Sequence, residues 1–214
     1  AEDGAVVDAR AGDPSRTHGE RLPGDVLTLL RAHGLGPADI DVYAVAAGPG
    51  SFTGLRVGIA CIQGLALANG RRVVAVSALD ALAHAARPAA ADSLVATWID
   101  AQRGEVFAAL YSGQTVVEAP SVATPARTID LWRARLADRP LVAIGDGAAR
   151  YAALLGEALG VRLRLSDPAA PLLARSIAEL AHREVAAGRT IAPHAIVPIY
   201  LRRPDAELAR DVHR

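Results

Sequence analysis

The segment Gly48-Pro49-Gly50-Ser51-Phe52-Thr53-Gly54 lies between two apolar runs, the strand–turn–helix setting in which backbone amides and a helix dipole can hold a phosphate. Its spacing argues against that chemistry. A phosphate-binding loop of the Walker type needs a lysine beside its last glycine, and the chain has arginine as its only basic aliphatic residue type, with no lysine anywhere. The dinucleotide pattern needs glycine where Thr53 stands, and Pro49 removes an amide donor from the turn. A serine nucleophile on a strand-to-helix elbow needs glycine two residues earlier, where Ser51 has Pro49. The better reading is a structural turn, with Ser51 or Thr53 capping the helix that follows.

Other candidate groups are equally spare. The six histidines are scattered, with neither a His-x-x-x-His pair nor a His-Glu-x-x-His helix, so a metallopeptidase reading lacks ligands. The absence of lysine removes Schiff-base chemistry. Asp100 and Glu105 flank a turn at Gly104, and read either as a carboxylate pair or as solvated turn residues. Gly145-Asp146-Gly147 follows an apolar run and reads as a second glycine loop.

Lysine plus arginine and aspartate plus glutamate number 23 each, so no global field draws the chain to nucleic acid or an anionic membrane. The single cysteine, Cys61, excludes an internal disulfide and sits in an apolar run as a small core side chain, which makes the cytosol the expected compartment. The longest apolar run, Ile59 to Ala68, is shorter than the ~20 residues that a membrane span needs.

These groups must be positioned by alternating elements. Asp25 to His33 has apolar residues at helical spacing and stops at Gly34; Val42 to Ala47 reads as a buried strand; Phe52 to Asn69 as a helix; Val73 to Val76 as a strand. Ser77, three residues before Asp80, opens a helix through Ala86. Strand–helix alternation with short connections predicts a parallel sheet covered by helices. After the alanine-proline stretch Pro88 to Asp92, Leu94–Ile99 and Glu105–Tyr111 form an expected hairpin. Expected helices cover Thr128–Leu136, Ala148–Leu159 and Leu172–Ala187, with a strand over Leu141–Ile144. At the opening, the turn Glu2-Asp3-Gly4 and the run Ala5 to Ala9 read as the second half of a hairpin.

The segment Phe52 to Asn69 holds only Arg56, Gln63 and Asn69 as conspicuous polar residues. A helix apolar around most of its circumference must be covered on more than one side. Small residues recur at four-residue spacing, Gly54 with Gly58 and Ala60 with Gly64 and Ala68, and would let a second helix approach closely. Either this is the core helix of an alanine-rich protein, packed on Val26, Leu29 and Leu30, or another chain supplies the cover.

The run Gly48 to Gly58, followed by Gln63-Gly64-Leu65-Ala66-Leu67, resembles the signature of the TsaB (YeaZ) family. His18-Gly-Glu-Arg-Leu22, Asp100-Ala-Gln-Arg-Gly-Glu-Val106, Gly145-Asp-Gly147 and Pro198-Ile-Tyr-Leu-Arg-Arg-Pro204 extend the likeness along the chain. The resemblance implies an α/β, actin-like (ASKHA, ribonuclease H-like) two-lobed fold with mixed sheets flanked by helices, the lobes spanning 1–88 and 89–214. Members open with further strands, so about two are expected upstream of this chain.

The resemblance further implies a non-catalytic cytoplasmic subunit of the bacterial machinery that forms N6-threonylcarbamoyladenosine in transfer RNA. The catalytic paralogue, TsaD, carries a His-x-x-x-His metal motif where this chain has Ala78 and Leu82, which offer a metal no lone pair. ATP and metal would then belong to TsaD-like and TsaE-like partners, with no cofactor on this chain alone and transfer RNA met only through the complex. Partner and homodimer contacts map by resemblance onto the helices at Asp25–His33 and Thr53–Asn69: Val26, Leu29, Leu30, Leu55, Ile59 and Ile62 as anchors, Arg56 and Gln63 as polar contacts. Arg56 reads equally as an ordinary surface arginine. Arg202, Arg203, Arg210 and Arg214 read as a solvated tail or as a transfer-RNA contact. An actin-like ATPase or sugar kinase, with Gly145–Gly147 as its second phosphate loop, is the competing enzyme reading, and a glycoprotease-like metallopeptidase a weaker one.

Overall fold

The structure, a computed structural model, describes residues 4–13, 15–90 and 92–202. The first helix, α1 (His18–Ala32), starts at His18 rather than at Asp25. Thr17 and Glu20 form a capping box: the Glu20 amide donates to the Thr17 hydroxyl, and the Thr17 amide donates to the Glu20 carboxylate at 2.7 Å. Pro23 and Gly24 read as breakers, yet both are exposed, so the carbonyl that Pro23 leaves unbonded is on the solvent side. Of the expected strand at Ala5–Ala9 only Ala5 makes a β-bridge: residues 6–9 belong to no strand, and Val7 is 57% exposed. A strand needs a neighbour along its length to take its backbone bonds, and no described strand runs beside these residues. Glu2 and Asp3 of the expected turn lie outside the described residues.

β1 (Val42–Gly48) leads through the glycine turn into α2 (Phe52–Ala68), and β2 (Arg72–Ser77) pairs with β1 in parallel. α3 (Ala78–Ala86) follows at once, its Ser77 cap accepting from the Asp80 amide at 3.3 Å as the spacing predicts. The β1–β2 sheet is covered on both faces. Tyr43, Val45 and Val73 pack with Ile59 and Ala66 of α2, while Val74 and Val76 pack with Ala81 of α3 on the other side.

The second sheet contains β3 (Leu94–Asp100), β4 (Val106–Ser112) and β5 (Thr115–Ala123), then α4 (Pro125–Leu136), β6 (Leu141–Ile144), α5 (Asp146–Arg150), α6 (Ala152–Leu159) and β7 (Leu163–Leu165). Its strand order is β5-β4-β3-β6-β7, antiparallel through the first three and parallel from β3 onward. The expected hairpin is therefore β3–β4. Neither β5 nor β7 shows in the sequence periodicity: β5 contains Pro120 and pairs irregularly as an edge strand, and β7 is too short to show a period. The single helix expected over Ala148–Leu159 is two, broken at Tyr151. The core beneath this sheet is built around Trp98, fully buried and set edge-on to Trp132 at 6.2 Å between ring centroids.

α7 (Leu173–Ala186) turns back to the first sheet. Ile177, Leu180 and Ala181 pack against Val74 and Val76, and Ile191 bridges Val73 through bonds of 2.9 and 3.0 Å. The boundary expected at residues 88 and 89 falls on the short helical turn Arg87–Ala89 between the sheets, yet the chain after α6 contributes to both halves. No helix among the described residues is long and apolar enough to cross a membrane.

Candidate functional site

The glycine turn is closed by the chain itself. Residues 196–202 cross it as a strap: the Ile199 amide donates to the Ala47 carbonyl at 2.7 Å. Gly48 has a φ of +117°, and a Cβ there would lie 2.7 Å from the Ile199 carbonyl oxygen and 3.1 Å from Leu55 Cδ1. Only glycine fits, and what it fits against is a backbone acceptor, which disfavours an anion at that point. Ser51 caps α2, its hydroxyl accepting from the Gly54 amide at 3.3 Å, the role its position predicts.

Along α2 the outward side is a single stripe. Thr53, Arg56, Ala60, Gly64 and Leu67 are exposed, spaced by three and four residues, and Leu67 keeps 60% of its surface in contact with solvent. In the interior of that stripe Ala60 and Gly64 present almost no side chain. Among the described residues nothing covers this side of α2, whose middle is lined by small residues.

The eight residues expected to contact a partner divide. Ile59 is 5% exposed and lies in the chain's own core with Tyr43, Val45, Ala66, Val73 and Ile196, and Ile62 packs on the same cluster. Leu55 is half-buried against the Gly48 turn. Gln63 donates from Nε2 to the Pro193 carbonyl at 2.9 Å, which anchors the strap's approach to α2. These four therefore face inward, because α2 presents them to β1, β2 and residues 193–196. Val26, Leu29 and Leu30 are half-buried, and α1 as a whole buries no residue completely. Arg56 alone of the eight is exposed.

Arg56 is nevertheless held. Its guanidinium sits over the Phe52 ring at 3.8 Å, and its Nε donates to the Tyr200 hydroxyl at 3.1 Å. Phe52 and Tyr200 stack with centroids 5.3 Å apart, although both rings remain about two-fifths exposed. Tyr200 comes from the strap, so the contact ties the strap to the first turn of α2. Sequence reasoning found Arg56 but not its partners: Phe52 sits at i−4, a readable signal, whereas Tyr200 is separated by 144 positions.

The remaining candidates are occupied within the chain. Ala78 and Leu82 are buried, at 5% and 3% exposure, and Leu82 belongs to a core cluster with Val142 and Ile144. Among the described residues no group of three or more His, Cys, Asp or Glu converges as a metal would require. His84 pairs with Glu179 at 2.7 Å. Asp100 and Glu105 do not pair with each other: Asp100 binds Arg150 at 2.5 Å, which raises the guanidinium's pKa, and Glu105 binds Arg202. Arg202 also donates to the Ala101 carbonyl at 2.8 Å, so it belongs to the lobe and not to a free tail. Arg203, Arg210 and Arg214 lie outside the described residues. Gly145 and Gly147 permit close packing on β3. A Cβ at Gly145 would be 2.0 Å from the Trp98 carbonyl oxygen, and Asp146 accepts from the Asp100 and Gly147 amides at 3.0 and 2.8 Å. Cys61 is half-buried and burial raises its thiol pKa, consistent with an unreactive side chain.

The mixed five-stranded sheet with its flanking helices, beside a smaller helix-covered parallel pair, defines an actin-like protein. A family model described as TsaD, tRNA N6-adenosine threonylcarbamoyltransferase, matches residues 12–210. An uncharacterized protein of Mycobacterium tuberculosis strain H37Rv is 35% identical over 202 residues, covering 94% of this chain and 83% of its own. The tRNA threonylcarbamoyladenosine biosynthesis protein TsaB of Escherichia coli K12 is 32% identical over 192 residues, with 87% and 81% covered. The solved structure of YeaZ from Pseudomonas aeruginosa superposes with a TM-score of 0.70 at 32% identity, over 86% of this chain and 85% of that one. The chain belongs to the TsaD family and, within it, to the TsaB (YeaZ) group.

Proposed function

We propose that this chain is a non-catalytic scaffold subunit in the formation of N6-threonylcarbamoyladenosine in transfer RNA, and that it acts by binding a TsaD-like catalytic subunit through α1 and the outward stripe of α2. The observation that carries the reading is that stripe: an apolar helix whose Ala60, Gly64 and Leu67 stand in solvent next to the half-buried apolar side of α1. Ala60 and Gly64 allow close approach of another helix, and covering the stripe removes apolar surface from water. The contact set differs from the one the sequence suggested. Thr53, Arg56, Ala60, Gly64 and Leu67 of α2 meet the partner, with Val26, Leu29 and Leu30 contributing from α1, while Ile59 and Gln63 support the helix from within.

The same stripe serves a homodimer when the chain is alone. Lack of catalysis is supported by the side chains themselves: Ala78 and Leu82 pack as core, and each carboxylate of the Asp100–Glu105 hairpin is neutralised by an arginine. ATP and metal belong to the TsaD-like and TsaE-like partners, transfer RNA is met through the complex, and the assembly works in the cytoplasm. Size-exclusion chromatography with and without the TsaD-like subunit tests the reading. Co-elution as a defined complex is expected; failure to co-elute, or tight ATP binding by the full chain alone in calorimetry, overturns it.

A further inference from the structure

Arg56 is the sole charged residue of α2, and it stands at the exposed end of the uncovered stripe. Among the described residues no carboxylate pairs with it; its two contacts, the Phe52 ring and the Tyr200 hydroxyl, are both uncharged. Those contacts use the face of the guanidinium and its Nε. Among the described residues the two terminal nitrogens make no further contact and stand as a planar fork, and the side chain that carries them is already ordered by an aromatic ring on one side and a hydrogen bond on the other. An ordered guanidinium gives up less conformational freedom on binding than a free surface arginine does.

A cation enclosed in an apolar helix–helix seam without a counter-charge is strongly destabilising. α2 holds no Asp or Glu that could neutralise Arg56 from its own helix. Resting on the seam proposed above, we infer that Arg56 is a preorganised docking cation, positioned by Phe52 and Tyr200, whose fork takes a carboxylate from the helix that the TsaD-like subunit lays on the stripe. A planar fork and a carboxylate match as a bidentate pair, which fixes the register of one helix on the other. Tyr200 brings the strap into the same arrangement. Because the strap is bonded to the Gly48 turn, docking at Arg56 is coupled to the order of residues 196–200.

The affinity of the full chain for the TsaD-like subunit, measured by calorimetry across a salt series, tests this. Arg56→Gln should weaken binding about thirtyfold or more and flatten the salt dependence, and Arg56→Glu should abolish it. Tyr200→Phe should weaken it by a smaller factor. Arg56 and Tyr200 are both exposed and lose only a surface contact, so these variants should melt within a few degrees of the parent and stay folded where binding is measured. Ala60→Trp blocks the seam without touching the charge. If Ala60→Trp abolishes binding while Arg56→Glu binds like the parent, the seam stands and the ion-pair inference falls. If Ala60→Trp binds like the parent, the seam itself is wrong. If Arg56→Glu disrupts only self-association, the carboxylate comes from a second copy of this chain and the inference is overturned.

Discussion

The hydroxyl of Tyr111 on β4 donates to Asp80 Oδ1 on α3 at 2.7 Å, so one hydrogen bond joins the helix of the first sheet to a central strand of the second. Tyr111 is otherwise buried, at 3% exposure, while Asp80 reaches solvent. Removing the hydroxyl leaves a carboxylate that water can still satisfy, which bounds the loss. Tyr111→Phe should lower stability by about 1–2 kcal/mol. The check is a urea midpoint shift at constant slope.

The same pair sets an alkaline limit. Burial, then the hydrogen bond to Asp80, pushes the Tyr111 phenol well above its ordinary value of 10.0. The unfolded chain therefore loses this proton first, and the stabilisation, complete below pH 10.0, falls as pH rises beyond it. Tyr43, raised by burial, adds in the same direction. A denaturation series above that pH should show a steeper loss in the parent than in Tyr111→Phe, and equal slopes would contradict the assignment.

Ile59 supports the fold and not a partner directly. Ile59→Ala should cost about 2–4 kcal/mol through the cavity left among Tyr43, Val45 and Ile196. Ile59→Arg should fail to fold, so its loss of partner binding carries no information about the surface. The discriminating measurement is circular dichroism melting of Ile59→Ala against Ala60→Trp, in which only the first should melt earlier.

Gly145 has a φ of +115° and no room for a Cβ, because the Trp98 carbonyl oxygen would be 2.0 Å away. Gly145→Ala should destabilise by about 2–4 kcal/mol, combining backbone strain with displacement of β3. Hydrogen exchange should show faster opening at β3 and β6. Unchanged protection there would show that the turn relaxes freely.

Ser51 holds the start of α2 through the Gly54 amide at 3.3 Å. Ser51→Ala should cost about 1 kcal/mol, whereas Ser51→Thr should retain most of the cap. Equal melting of the parent and both variants would exclude a capping role.

Much of this organisation is written locally. The Ser77-x-x-Asp80 cap, the small-apolar runs of β1, β2 and β6 and the apolar length of α2 follow from periodicity and side-chain chemistry within a few residues of one another. The motifs between Gly48 and Leu67 were enough to point to the family, and the absence of lysine excluded amine chemistry before any fold was considered. The edge strand β5 escaped because Pro120 and an irregular register hide its period, and α1's first turns because Pro23-Gly24 masks a helix that the Thr17–Glu20 cap starts anyway.

Which side of α2 faces outward was not legible. An amphipathic helix marks its solvent side with polar residues, but α2 is apolar nearly all round, so only the positions of β1, β2 and the 193–196 segment decide that Ile59 and Gln63 turn inward while Ala60 and Gly64 turn out. The hold of Tyr200 on Arg56 likewise belongs to tertiary structure alone. Short-range spacing carries no record of a contact between residues 144 positions apart; it forms only when α7 returns the chain to the first sheet and lays the strap across the glycine turn.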